Sequence, residues 1–170
     1  VALATLARRE YRIASRSRWP IALAVLFAAF TVGVVQYGAT GAGSSTIPAV
    51  VASVAALSTY VVPLAALAFG YATVVGPVAV VVGAFLGRGA SFAGAVAIGY
   101  AFGAAALFRV GGVPAVAAVV PTVAAAALAG VAFLGIAVVA STVAAEKAHA
   151  LGLALIAWAW FVLVHDVVAL

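Results

Sequence analysis

The chain has 170 residues, 69% of them hydrophobic and only 6% charged, with a mean hydropathy of +1.38 and a formal net charge of +5. Soluble domains carry about 25% charged and about 45–50% apolar residues, so a water-soluble fold is excluded and an integral membrane protein with several helices is the ordinary class that remains. The charge is not that of a nucleic-acid binder, because five of the eight basic residues (Arg8, Arg9, Arg12, Arg16 and Arg18) crowd the N-terminus; with no cysteine, disulfides, thiolate metal sites and thiol nucleophiles are excluded too. Methionine is absent even at position 1, so Val1 is not expected to be the biological start.

Residues 3–18 read as an amphipathic helix lying in the membrane interface. Leu3, Leu6, Ala7, Tyr11, Ile13 and Ala14 cover one side, while Arg8, Arg9, Arg12 and Arg16 fall within an arc of about 100° on the other. Arginines placed that way face anionic headgroups, each worth about 1 kcal/mol. Glu10 falls inside the apolar arc and is the misplaced residue, to be paired with a neighbouring arginine or with a partner protein.

Five apolar spans follow, over about 19–37, 49–70, 89–108, 113–140 and 150–166. The first is framed by Trp19 and Tyr37, as interfacial aromatic belts favour, with Pro20 in its first turn. After an uncharged loop, Ser45 or Thr46 can cap the second span, which holds Ser53, Ser58, Thr59, Tyr60 and an interior Pro63 expected to bend it. The hydroxyls are read as satisfying the carbonyls that Pro63 frees. Gly76-Pro77 should break the helix, and 78–86 is too short to cross, so this piece reads as a turn followed by a helix approaching the membrane obliquely. The third span carries a Gly-x-x-x-Gly pair, Gly99 and Gly103, that permits close helix approach. Residues 109–112 read as a tight turn, Pro114 and Pro121 mark the start and a kink of the fourth span, and 141–149 read as a polar turn. The last span runs through Trp158, Trp160 and Phe161 to His165-Asp166.

With the N-terminus inside, the inner segments hold the five N-terminal arginines, Arg88 and Lys147, and the outer ones hold only Arg109. That is the distribution the positive-inside rule demands. The fold class is therefore an all-α, polytopic integral membrane helix bundle in a single transmembrane domain, with a cytoplasmic N-terminus.

Chemistry is sparse. His165-Asp166 is an interfacial pair whose side chains diverge by about 100° on a helix, and metal ligation would need more groups at helical spacing. Glu146, Lys147 and His149 form a polar turn or a docking patch. No phosphate-binding loop, zinc-protease motif, nucleophile elbow or paired carboxylates occur, and no span has a charge in its middle third, which argues against an independent transporter and an intramembrane enzyme. Ser53, Ser58, Thr59 and Thr122 are too few to line a channel. No cofactor is implied.

The order of features resembles the permease subunits of ABC-2 type exporters, and is similar in particular to the branch that accompanies nitrous oxide reductase maturation. The residues that carry the likeness are Arg-Arg-Glu-Tyr at 8–11, Phe-Gly-Tyr-Ala-Thr-Val-Val-Gly at 69–76, Val-Val-Val-Gly-Ala-Phe-Leu-Gly-Arg at 80–88, and the aromatic closing run of 158–166. The resemblance implies a homodimer of permeases on a pair of cytoplasmic ATPase subunits, where ATP is hydrolysed; this chain itself would not be an enzyme. Motion would pass through the N-terminal interfacial helix and a coupling helix, here Leu3 to Arg18 and roughly Gly76 to Arg88, making Arg8, Arg9, Glu10, Arg12, Arg16 and Arg88 the expected contacts. Two departures stand out. Family members have a charged cytoplasmic stretch where Gly76-Pro77-Val78 stands here, and they have six spans; a charged loop and a sixth span are expected to be missing from this sequence. The alternative function is a non-transporting membrane scaffold or accessory subunit, which neutral spans and a basic edge fit equally well.

Overall fold

The computed structural model describes residues 2–40, 46–71 and 77–168, which form five helices and, among the described residues, no strand. They are α1 (Ala2–Arg16), α2 (Arg18–Thr40), α3 (Thr46–Gly70), α4 (Val78–Val143) and α5 (Lys147–Val168). Helices α2 to α5 are each long and apolar enough to cross a membrane. The expected cap at Ser45 and the Ala72–Gly76 part of the 69–76 run lie outside the described residues, as does the side chain of Asp166.

Helix α4 is a hairpin. Its 66 residues leave helical geometry only at Gly112, where φ is +64° and ψ −157°. That left-handed φ suits glycine, which has no Cβ to clash with the backbone, and Pro114 then starts the second arm with its fixed φ. The two arms, 78–111 and 113–143, run back along each other: a Cβ on Gly130 would lie 2.6 Å from the ring of Phe92, and one on Gly135 would touch Phe85. The turn is therefore one residue wide, and 109–111 remain helical where a four-residue turn was expected.

Two further boundaries depart from the sequence reading. No break separates 78–88 from the third span; the first arm is helical without interruption from Val78 to Gly111. At about 1.5 Å per residue its 34 residues extend about 51 Å, longer than a hydrocarbon core about 30 Å thick requires for one crossing. Gly83, Gly87 and Gly89 weaken a helix in isolation, but here α1 and the second arm pack onto them and hold them helical. The polar turn expected over 141–149 contracts to Ala144–Glu146: Ser141 to Val143 stay helical, with Thr142 donating to the Val139 carbonyl at 2.7 Å, and α5 begins at Lys147.

Helix α4 touches all four other helices and is the centre of the bundle. Its first arm meets α2 along a seam where Thr31 donates to the Gly99 carbonyl at 3.1 Å and to its own Phe27 carbonyl at 2.7 Å. A Cβ on Gly99 would lie 3.1 Å from the Ala24 carbonyl, and one on Gly103 would lie 2.5 Å from Thr31 Cβ, so the two glycines let α2 and α4 approach backbone to backbone. Phe27 stacks on Tyr100 with ring centroids 5.9 Å apart. The core is completed by Val62, Leu67, Phe92, Val96 and Leu134.

Pro63 is buried within α3, and Pro121 is exposed within the second arm; both helices continue through them. The hydroxyls of Ser58 and Thr59 do not cover the carbonyl that Pro63 deprives of a donor, which is that of Thr59. Ser58 instead bonds the Val54 carbonyl and the Tyr100 hydroxyl, and Thr59 bonds the Ala55 carbonyl at 3.0 Å. A four-residue reach backwards is what a short hydroxyl side chain on a helix can make. The neighbouring Tyr60 carbonyl receives the indole N–H of Trp158 from α5 at 3.2 Å.

Candidate functional site at the arginine-rich end

Ser17 separates α1 from α2, its hydroxyl and amide both donating to the Ala14 carbonyl at 2.7 and 3.1 Å. This bend lays α1 across the first turns of α4. The contact is built on glycine: a Cβ on Gly83 would lie 2.8 Å from Leu6 Cβ, and one on Gly87 would lie 2.5 Å from the Ala7 carbonyl oxygen and 2.7 Å from the Tyr11 nitrogen. Backbone atoms cannot yield as a flexible side chain can, so only glycine fits at 87. Sequence reasoning passed over Gly83 and Gly87, yet their four-residue spacing is the same signal that singled out Gly99 and Gly103.

This packing accounts for Glu10. The arc of α1 in which it lies is the arc pressed onto α4, and its Cβ sits over Gly87. From there Glu10 Oε2 reaches Arg88 Nε at 3.6 Å, both side chains 20% exposed. The carboxylate thus pairs with a residue of another helix rather than with the arginines beside it on α1.

Arg8, Arg9, Arg12 and Arg16 are all exposed on the opposite side of α1. On the other side of α1, towards the bundle, a crevice of about 260 Å³ lies between Ile13 and Ser17 of the α1 end, Phe69 and Tyr71 of the α3 end, and Arg88. Because the arms of α4 are antiparallel, Glu146, Lys147 and His149, all exposed, belong to this same end of the bundle, and Arg109, also exposed, to the other. The structure therefore gathers α1, Arg88 and the α4–α5 turn at one end of the bundle, where α1 presents a face dense in arginine, capable of binding an acidic or polar partner. Gly76, the expected start of the coupling segment, lies outside the described residues; Pro77 precedes the first turn of α4 in an extended conformation.

The other candidates do not join it. His165 is exposed near the far end of α5, its ring 6.2 Å from Phe161 and 6.4 Å from Tyr60, an aromatic setting. No group of three or more His, Cys, Asp or Glu that could hold a metal occurs among the described residues. Ser53 is exposed, whereas Ser58 is spent on helix–helix packing.

Known proteins resemble the chain over nearly its whole length. A probable ABC transporter permease protein NosY from Pseudomonas aeruginosa is 37% identical over 198 residues, covering 98% of this chain and 69% of the relative. The NosY protein of Stutzerimonas stutzeri is 36% identical over 197 residues, covering 97% and 68%. Both alignments are longer than the chain itself, so the relatives carry residues within the matched region that have no counterpart here. No protein-family model matches the chain.

Proposed function

Because the chain belongs to the family of ABC transporter permeases that includes these NosY proteins, we propose that it is the membrane-spanning subunit of an ABC-2 type exporter of the cell membrane, driven by ATP hydrolysed in a separate cytoplasmic ATPase subunit. With each arm of α4 counted as a crossing, α2, α3, the two arms and α5 make five spans of one transmembrane domain, and α1 is the interfacial helix. The positive-inside rule puts the arginine-rich end in the cytoplasm, and the subunit works as a homodimer.

The observation that carries this reading is the docking of α1 on the first turns of the first arm. Gly83 and Gly87 bring the two backbones together and the Glu10–Arg88 pair ties their rims. A push on α1 reaches a membrane-spanning helix directly, because 78–111 is continuous and has no hinge between the docking surface and the core around Phe92 and Tyr100. Arg8, Arg9, Arg12 and Arg16 face outward, where the ATPase would meet them, and Glu10 and Arg88 carry the load between helices. Neighbouring crowded positions make this a rigid link, and a rigid link transmits displacement instead of absorbing it.

The test is co-expression with the ATPase subunit in proteoliposomes. Glu10→Ala and Arg12→Ala should leave membrane insertion intact while ATP turnover loses its dependence on the permease. ATP turnover and ATPase co-purification equal to wild type in both variants removes the coupling role. Absence of any co-purifying ATPase from the wild-type protein would favour the scaffold reading.

A further inference from the structure

A second feature of α1 lies on the side away from Gly83. Between α2 and the first arm of α4 runs an open groove of about 710 Å³, inside the roughly 300–1,000 Å³ range of small-molecule sites. Its walls are apolar, with Ile21, Ala24 and Ala28 on α2 and Gly94, Ala95 and Ile98 on α4; only Tyr11, Ser15 and Ser91 bring hydroxyls to it, and they cluster at one end. From Pro20 to Val32 the α2 wall is about 18 Å long at 1.5 Å per residue, close to one leaflet of a core about 30 Å thick. The hydroxyl end abuts the arginine arc. At about 100° per residue, Arg8 and Arg12 project about 20° and 60° round α1 from Ser15, both exposed, and neither is joined to the one acidic residue of α1, which is held by Arg88.

We propose that this groove is a binding site for a single anionic phospholipid, one acyl chain lying along α2 and α4, the ester and glycerol region at Tyr11, Ser15 and Ser91, and the phosphate at Arg8 and Arg12. Depth and charge select this occupant over a helix of a second copy. A partner helix would use the full thickness of the membrane, not one leaflet, and a two-fold mate would bring its own arginines against this rim. Gly94 shapes the slot: a Cβ there would meet nothing within 4 Å, so the space beside it belongs to the groove and not to packing. The proposal shares Arg8 and Arg12 with the ATPase-coupling reading, but lipid retention is measured without ATP, and Glu10→Ala, which tests that reading, leaves the groove lining untouched, so the two fail separately.

Native mass spectrometry of the full chain, purified in its complex and titrated with phosphatidylglycerol or phosphatidylcholine of identical acyl chains, tests it. Wild type should retain one phosphatidylglycerol per chain in preference to phosphatidylcholine. Gly94→Phe, which fills the slot, should lower retention of both lipids at least tenfold with helicity unchanged. The double variant Arg8→Gln/Arg12→Gln should keep phosphatidylcholine binding and lose roughly ten- to thirty-fold in phosphatidylglycerol affinity, about fivefold per arginine. Retention of phosphatidylglycerol at the wild-type level in either variant overturns the proposal. So does a switch of Gly94→Phe from dimer to monomer with lipid retention unaltered, which would assign the groove to a second copy.

Discussion

Glu10 of α1 and Arg88 of α4 face each other at 3.6 Å across a contact that glycine makes possible, each 20% exposed. The pair is half-sheltered, so its strength exceeds that of a fully solvated pair while still falling with salt. Glu10→Lys or Arg88→Glu alone would set like charges against each other and loosen α1, whereas the exchange of both should restore it. A double-mutant cycle on thermal stability in detergent is expected to give a coupling of about 1 kcal/mol. Zero coupling would reduce the pair to a coincidence of two surface side chains.

Gly87→Leu should detach α1 from the bundle. Its side chain would have to occupy space held by the backbone of Ala7 and Tyr11, and overpacking of that kind costs about 1–3 kcal/mol. Gly94→Ala, with nothing within 4 Å, is the matched neutral control. Hydrogen exchange of the α1 amides reads the difference: faster exchange over 6–14 in Gly87→Leu, with the α2–α4 seam unchanged.

At that seam, shape should matter more than hydrogen bonding. Thr31→Val removes the bond to the Gly99 carbonyl but keeps the volume, and interhelical bonds in membranes average about 0.6 kcal/mol. Gly103→Leu drives a side chain into Thr31 and should cost several times more. Unfolding in mixed micelles that ranked Thr31→Val as the more damaging would reverse this assignment.

Topology can be read by single-cysteine labelling, since the chain has no cysteine to remove. In intact cells a membrane-impermeant maleimide should label Val110→Cys, beside the Gly112 turn, and reach Arg9→Cys and Ala145→Cys only in inverted vesicles. All three positions are exposed. Labelling of position 110 from the same side as position 9 would mean that the arms of α4 do not each cross.

Helix segments were legible wherever a local signal dominated. The Arg-rich face of α1, the aromatic frame of α2 and the Pro114 start of the second arm are properties of a few adjacent residues. The boundaries that moved did so because glycine is ambiguous in isolation. The piece 78–88, which holds Gly83 and Gly87, read as an oblique helix separate from the third span, and 109–112 as a four-residue turn; the protein keeps helix through the first and breaks only at Gly112 in the second. Pro114, two residues on, marks the break near Gly112, whereas Gly83 and Gly87 stay helical because another helix packs over the missing Cβ, which no neighbouring residue reveals.

By itself, then, the sequence determined class, approximate helix positions and the concentration of positive charge at one end, because transfer to a membrane depends on composition summed over about 20 residues. The partner of Glu10 was decided only by tertiary structure. On a wheel that carboxylate is an error in an apolar arc. Against α4 it becomes an ion pair, because Gly87 lets the backbones close to a distance at which Arg88, 78 positions further along the chain, falls within its reach.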